Sequence, residues 1–151
     1  MPDLLVLHGP NLSQLGVRDP SVYGTATLDD VVTVVRAAAK GTDLEVQAAV
    51  SDHEGDLVGR LHAARTDGTA AVIVNAGALT HTSHALADAL DILDIPKVEV
   101  HLTNIHGREV FRHTSVIARS VDGTIAGFGV QGYALAVGAV VGLLARNGAV
   151  A

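Results

Sequence analysis

A doubly wound α/β fold is what this sequence predicts, and three observations lead to it. Short apolar runs alternate with helix-periodic segments along the chain. The runs are nearly continuous in Val, Leu, Ile and Ala, which marks parallel strands buried on both faces. The 151 residues hold five such strand–helix units without a linker, charge block or repeat, so one domain over residues 1–151 is expected.

The elements follow in order. Leu4–Leu7 is an apolar strand that stops at His8-Gly9-Pro10-Asn11, a run of turn residues. Thr27 is placed to cap a helix over Leu28–Lys40, with Asp29 and Asp30 in its first turn and Gly41 after its end. Leu44–Val50 is a second strand and Glu54–Arg65 a second helix. Ala70–Val74 is a third strand, ended by Asn75-Ala76-Gly77. A helix is expected over Thr80–Leu93, and Pro96 separates it from a fourth strand, Lys97–Leu102. Thr103–Ser120 is polar, Thr124–Ala126 a short fifth strand, and Gln131–Arg146 an apolar last helix. By analogy, five units in this length suit the flavodoxin-like sheet order 2-1-3-4-5. Ligands in such sheets bind outside the carboxyl ends of the strands, near the switch between strands one and three.

Composition narrows the chemistry. Lys+Arg number 10 against 16 Asp+Glu, a net charge of −6, so a basic nucleic-acid groove is not expected. There is no Cys, hence no disulfide, thiolate nucleophile or Cys-ligated metal. The opening Met-Pro-Asp lacks a basic signal-peptide region, and the longest apolar run, Tyr133–Ala145, is short for a bilayer. A soluble, cytoplasmic protein without membrane partners is the expectation. Lysine occurs only at Lys40, beside a helix end, and at Lys97, at a strand start, so imine chemistry is not expected.

The polar residues gather at one sheet edge. After strand one come Asn11, Arg18 and Tyr23, within a connection from Gly9 to Ala26 that is long for an α/β unit. That connection is either a lid carrying a cation and a phenol or an ordered loop with Tyr23 as a plug. Asn75 and His81 follow strand three. Asn75 suits a hydroxyl or carboxylate ligand and equally suits a turn. Glu99 and His101 share a face of strand four, where the carboxylate could orient the imidazole; a core histidine is the plainer alternative. Arg108 and Arg112 either clamp an anion or pair with acidic neighbours such as Glu109. No converging metal-ligand set is visible, His81 and His84 lacking a third partner. The stretch GFGVQG at 127–132 spells a dinucleotide fingerprint but has no following strand, so it reads as close helix–sheet packing. With no lysine or cysteine suited to the task, tyrosine and histidine are the acid and base available to a small hydroxylated or carboxylated ligand.

Four blocks carry a resemblance. LLVLHGPNL with LGVRDPSVYG, NAGALTHTSHALADAL, VEVHLTNIHGREVFRHTS and GFGVQGYALA occur in one order between residues 4 and 136. They resemble type II 3-dehydroquinate dehydratases. The resemblance implies a flavodoxin-like fold and cofactor-free anti elimination of water from 3-dehydroquinate, giving 3-dehydroshikimate in the shikimate pathway. It implies Tyr23 as the base at C2, Arg18 as the cation beside it, and Asn11 as the holder of a water that stabilises the enolate. His101 would protonate the leaving hydroxyl, with Glu99 aligning its ring. Asn75, His81, Arg112 and the backbone of Leu102 and Thr103 would bind substrate, and Arg108 would support the lid. The resemblance further implies a homododecamer of trimers, with Asp88 of a neighbour reaching each site; Asp88 follows His81 by seven positions, on the same face of the expected helix. Ser13, Gln14, Asp19 and Gly107 depart from the family's frequent residues. A catalytically inactive flavodoxin-like binding module, or a dehydratase for a related cyclic hydroxy-ketone, is the alternative.

Overall fold

A computed structural model of the chain describes residues 1–149. Five parallel strands form one sheet: β1 (Asp3–His8), β2 (Glu45–Val50), β3 (Thr69–Asn75), β4 (Lys97–His101) and β5 (Gly123–Ala126), in the spatial order β2-β1-β3-β4-β5. The expected order 2-1-3-4-5 is the observed one. β1 lies between β2 and β3, with Leu4 opposite Val46 on one side and Ala71 on the other.

Strand alternation sorts the core into two layers. Leu4, Val6, Ala71, Ile73, Val98 and Val100 pack with α2 (Leu28–Ala39) and α5 (Gln131–Ala149). Leu5, Leu7, Val72 and Val74 pack on the other face with α3 (Glu54–Ala64) and α4 (His84–Asp91). The helix start expected at Thr27 is present as a capping box: Asp30 N–H donates to Thr27 Oγ1, and Thr27 N–H donates to an Asp30 carboxylate oxygen. Among the described residues no helix is long and apolar enough to cross a membrane.

One helix differs from expectation. Thr80–Leu93 is not continuous: a 3-10 turn covers Gly77–His81, and α4 begins only at His84. Ser83 breaks it, because its hydroxyl accepts from Leu86 N–H as an N-cap while also donating to Glu54 of α3. His81 and Asp88 therefore do not share a helix face. The connection after β1 is also less irregular than expected, containing a 3-10 turn at Leu12–Gln14 and a one-turn helix, α1, at Pro20–Tyr23.

The turns after β1 and β3 touch, and glycine permits it. A Cβ on Gly9 would lie 2.4 Å from the Ala76 carbonyl oxygen, and one on Gly77 (φ 58°) would lie 2.8 Å from the Pro10 oxygen. Gly9 N–H also donates to the Asn75 carbonyl at 2.8 Å. The topological switch point is thereby drawn closed at its base. Lys97 sits at the opposite edge, where its ammonium donates to the carbonyls of Leu90 and Leu93 at the end of α4.

Candidate active site

A cleft open to solvent lies at the carboxyl ends of β1, β3 and β4. Nine residues singled out from the sequence line it: Arg18, Tyr23, Asn75, His81, His101, Leu102, Thr103, Arg108 and Arg112. Leu12, Leu15, Gly77, Ala78 and Ile105 add walls that sequence reasoning did not pick out. Among the described residues three arginines and no carboxylate line the opening, so an acidic chain presents a locally cationic cleft suited to a small anion.

Tyr23 closes one side. It ends α1, packs against the core layer beneath α2 and α5, and is half-buried. Arg108 Nη2 donates to its hydroxyl at 2.8 Å, and Arg18 lies with its guanidinium carbon 4.1 Å from the ring centroid. Both arginines thus meet the phenol, but in different ways. The resemblance puts Arg18 beside that phenol and makes Arg108 a lid support; here Arg18 lies over the ring, and Arg108, its guanidinium carbon 5.0 Å from the same centroid, also holds the oxygen. Arg108 also donates to Thr103 Oγ1, which ties the Tyr23 segment to the end of β4.

His101 is part of the opposite machinery. Strand period puts Glu99 beside it, and His101 Nε2–H donates to Glu99 Oε2 at 2.5 Å. Glu99 is fully buried on the face of β4 where a purely structural strand would carry an aliphatic residue. Its remaining capacity is met by Ser115, whose hydroxyl lies 3.1 and 3.0 Å from the two carboxylate oxygens, and by Thr124 at 3.4 Å. Neither hydroxyl was foreseen. With Nε2 turned to an acceptor, Nδ1 is the ring nitrogen left for a ligand.

The remaining polar groups are held from outside the cleft. Asn75 Nδ2 donates to the hydroxyl of Tyr133 on α5 at 3.0 Å, while Asn75 Oδ1 accepts from Gly77 N–H. Tyr133 is fully buried, and burial pushes its phenol above the ordinary tyrosine range. His81 Nδ1–H donates to the Thr114 carbonyl at 2.8 Å, and its ring stacks 6.5 Å from that of His101. Arg112 pairs with Glu109 at 3.0 Å while lining the cleft; the Arg112 hydrogen bond pulls the Glu109 carboxyl below its usual range.

Two expected residues lie elsewhere. Asn11 is exposed and does not line the cleft, although Leu12 does; it is held at φ 70° with its N–H donating to Asp52 Oδ1 at 2.9 Å. Asp88 lines a separate surface cleft with His84, Asp91 and Arg119. The GFGVQG stretch packs against the end of β4, Gly127 and Gly129 donating to the carbonyls of His101 and Leu102.

Fold and cleft together define a flavodoxin-like α/β protein whose cleft at the carboxyl ends of the strands brings a tyrosine and a histidine together. The chain belongs to the dehydroquinase class II family, whose model matches residues 2–141. It is 50% identical over 149 residues to the 3-dehydroquinate dehydratase of Ruegeria pomeroyi, covering 99% of each chain. Identity to the 3-dehydroquinate dehydratase of Thermotoga neapolitana is 51% over 134 residues, 89% of this chain and 90% of the other. The crystal structure of the type II dehydroquinase from Butyrivibrio crossotus superposes with a TM-score of 0.90 at 37% identity, covering 93% of this chain and 97% of that one.

Proposed function

We propose that this chain dehydrates 3-dehydroquinate to 3-dehydroshikimate by anti elimination, with Tyr23 as base and His101 as acid, and without a cofactor. The observation that carries this reading is a phenol hydrogen-bonded by Arg108 and covered by Arg18, on the same cleft as a histidine backed by a buried carboxylate.

The Tyr23 phenolate removes a proton from C2, next to the ketone. As a phenolate it keeps Arg108 as a charge-assisted partner. The electrons move toward C3, and the enolate oxygen is stabilised by a water that Asn11, outside the cleft lining but next in the chain to cleft-lining Leu12, would hold. The enolate then expels the C1 hydroxyl, which takes a proton from His101 Nδ1 and leaves as water. Glu99 holds the imidazolium in place through Nε2. Proton return from Tyr23 to His101 resets the pair. Asn75, His81 and Arg112 contact the substrate hydroxyls, and the backbone of Leu102 and Thr103 at the end of β4 takes its carboxylate.

Asp88 fits the same reading as a residue lent to a neighbour, since it faces away from its own cleft. We accordingly assign the chain to a cytoplasmic homododecamer of trimers, one catalytic domain per chain, with no nucleic-acid or membrane partner. The test is ultraviolet detection of the enone product on adding 3-dehydroquinate to the purified protein, alongside His101→Ala and Arg18→Ala. Turnover in wild type and its loss in both variants is expected. Ligand binding without turnover in folded wild type would instead make the chain a binding module, and faster turnover of another cyclic hydroxy-ketone would reassign the substrate.

A further inference from the structure

Glu99 is fully enclosed, and a buried carboxylate is tolerated only when its oxygens are met by donors. Three groups meet it: His101 and Ser115 at Oε2, and Ser115 and Thr124 at Oε1. Of these only His101 changes its protonation during an elimination. The other two are fixed donors. The Thr124 contact is the longest, at 3.4 Å, and its residue is exposed. Ser115 is closer and spans both oxygens, so it sets the plane of the carboxylate against which the His101 ring is aligned.

The backbone around Ser115 is anchored on both sides. Thr114 C=O accepts from His81 Nδ1–H, and Val116 N–H donates to Thr80 C=O, each at 2.8 Å. Three consecutive residues therefore register the β3 turn, which carries His81, against β4, which carries Glu99 and His101. Ile117, buried in the core layer of α3 and α4, pins the segment from below.

We propose that Ser115 is a positioning residue for the acid, acting on His101 through Glu99. This rests on the reading of His101 as the acid of a dehydration. Removing the hydroxyl leaves Glu99 with one fewer fixed donor and free to rotate, so the imidazole loses alignment at the moment it gives up its proton. The loss falls on turnover and not on substrate affinity, because Ser115 lies outside the residues that line the cleft.

The experiment is a double-mutant cycle on the full-length protein with 3-dehydroquinate, using Ser115→Ala, Glu99→Gln and the pair, with Ser115→Thr as rescue. Ser115→Ala is expected to lower kcat about tenfold with KM within about twofold, and Ser115→Thr to recover most of it. In the Glu99→Gln background the same alanine change is expected to cost less than about twofold. Equal losses in both backgrounds, or unchanged kcat in Ser115→Ala, would overturn the proposal. The His101 Nε2–H proton resonance gives a second readout that needs no turnover. It is expected to disappear in Glu99→Gln and to shift in Ser115→Ala; an unmoved resonance in Ser115→Ala would contradict the coupling. Should the wild type fail to turn over 3-dehydroquinate, the resonance still tests the Ser115–Glu99–His101 link, so the two failures are distinguishable.

Discussion

Arg108 donates a hydrogen bond of 2.8 Å to the Tyr23 hydroxyl across 85 residues of chain. Arg18, five positions before the tyrosine, covers the ring. Both guanidinium groups lie over the ring, Arg18 at 4.1 Å and Arg108 at 5.0 Å from its centroid, and Arg108 also holds the atom that accepts the proton. Arg108→Ala is therefore expected to lower kcat by about 10²-fold or more, and Arg108→Lys to recover part of that loss, since one ammonium can still reach the oxygen. Arg18→Ala should cost less in kcat than Arg108→Ala. Steady-state kinetics on the three variants check the order, and a larger loss in Arg18→Ala would reverse the assignment.

Asn75 depends on Tyr133, a residue deep in the last helix. Tyr133→Phe keeps the ring in the core but deprives the Asn75 amide of its acceptor. A loss of about 1–3 kcal/mol in urea-unfolding stability is expected, together with a raised KM. Unchanged stability and KM would mean that Asn75 does not need this bond.

His8 makes stability depend on pH. Its ring is fully buried against Tyr133, and neither ring nitrogen has a hydrogen-bond partner among the described residues. Burial pulls its pKa from 6.5 to about 4, opposed weakly by the approach of the Ala49 backbone, which falls short of a formed hydrogen bond. The unfolded chain thus binds a proton near pH 6.5 that the folded chain takes up only near pH 4. Stability from this group is complete above the higher value and is lost as pH falls toward the lower one. The loss amounts to about 3 kcal/mol between neutrality and the lower value. His8→Asn should flatten the stability curve by that amount in chemical denaturation at the two pH limits. Parallel curves for wild type and variant would contradict the assignment.

Two glycines should respond oppositely to alanine. On Gly9 the new methyl would lie 2.4 Å from the Ala76 oxygen, so the turn must move, at a cost of about 1–3 kcal/mol and with loss of activity. On Gly59, inside α3, nothing lies within 4 Å, and alanine should stabilise by about 0.5–1 kcal/mol. Thermal melts of the two variants decide it; a neutral Gly9→Ala would mean that the β1 and β3 turns are not in tight contact.

The alternation of strands and helices and the cleft's address were legible from local patterns, apolar runs, their turn residues and the rule that places ligands at the switch point, while the strand order came by analogy. Tyr23, His101 and their arginines stood out as polar residues collected at one edge. What the pattern could not show was long-range partnership. Tyr133 is 58 residues from Asn75, and Ser115 reaches Glu99 from the next segment; each reads in sequence as an ordinary helix or loop residue. The break at Ser83 was missed for a similar reason, since the residue lies within a helix-like run and ends it through a cap reinforced from α3. Asp88 comes from the resemblance, and only its shared helix face with His81 falls with that break.

The account stands on Tyr23 as the base, and the most direct test is the turnover of Tyr23→Phe with 3-dehydroquinate, paired with a binding measurement on the same variant. Phenylalanine keeps the ring beneath Arg18 and removes only the oxygen that Arg108 holds. The expected result is a fall in kcat of about 10²-fold or more with substrate affinity retained. Undiminished turnover would contradict it.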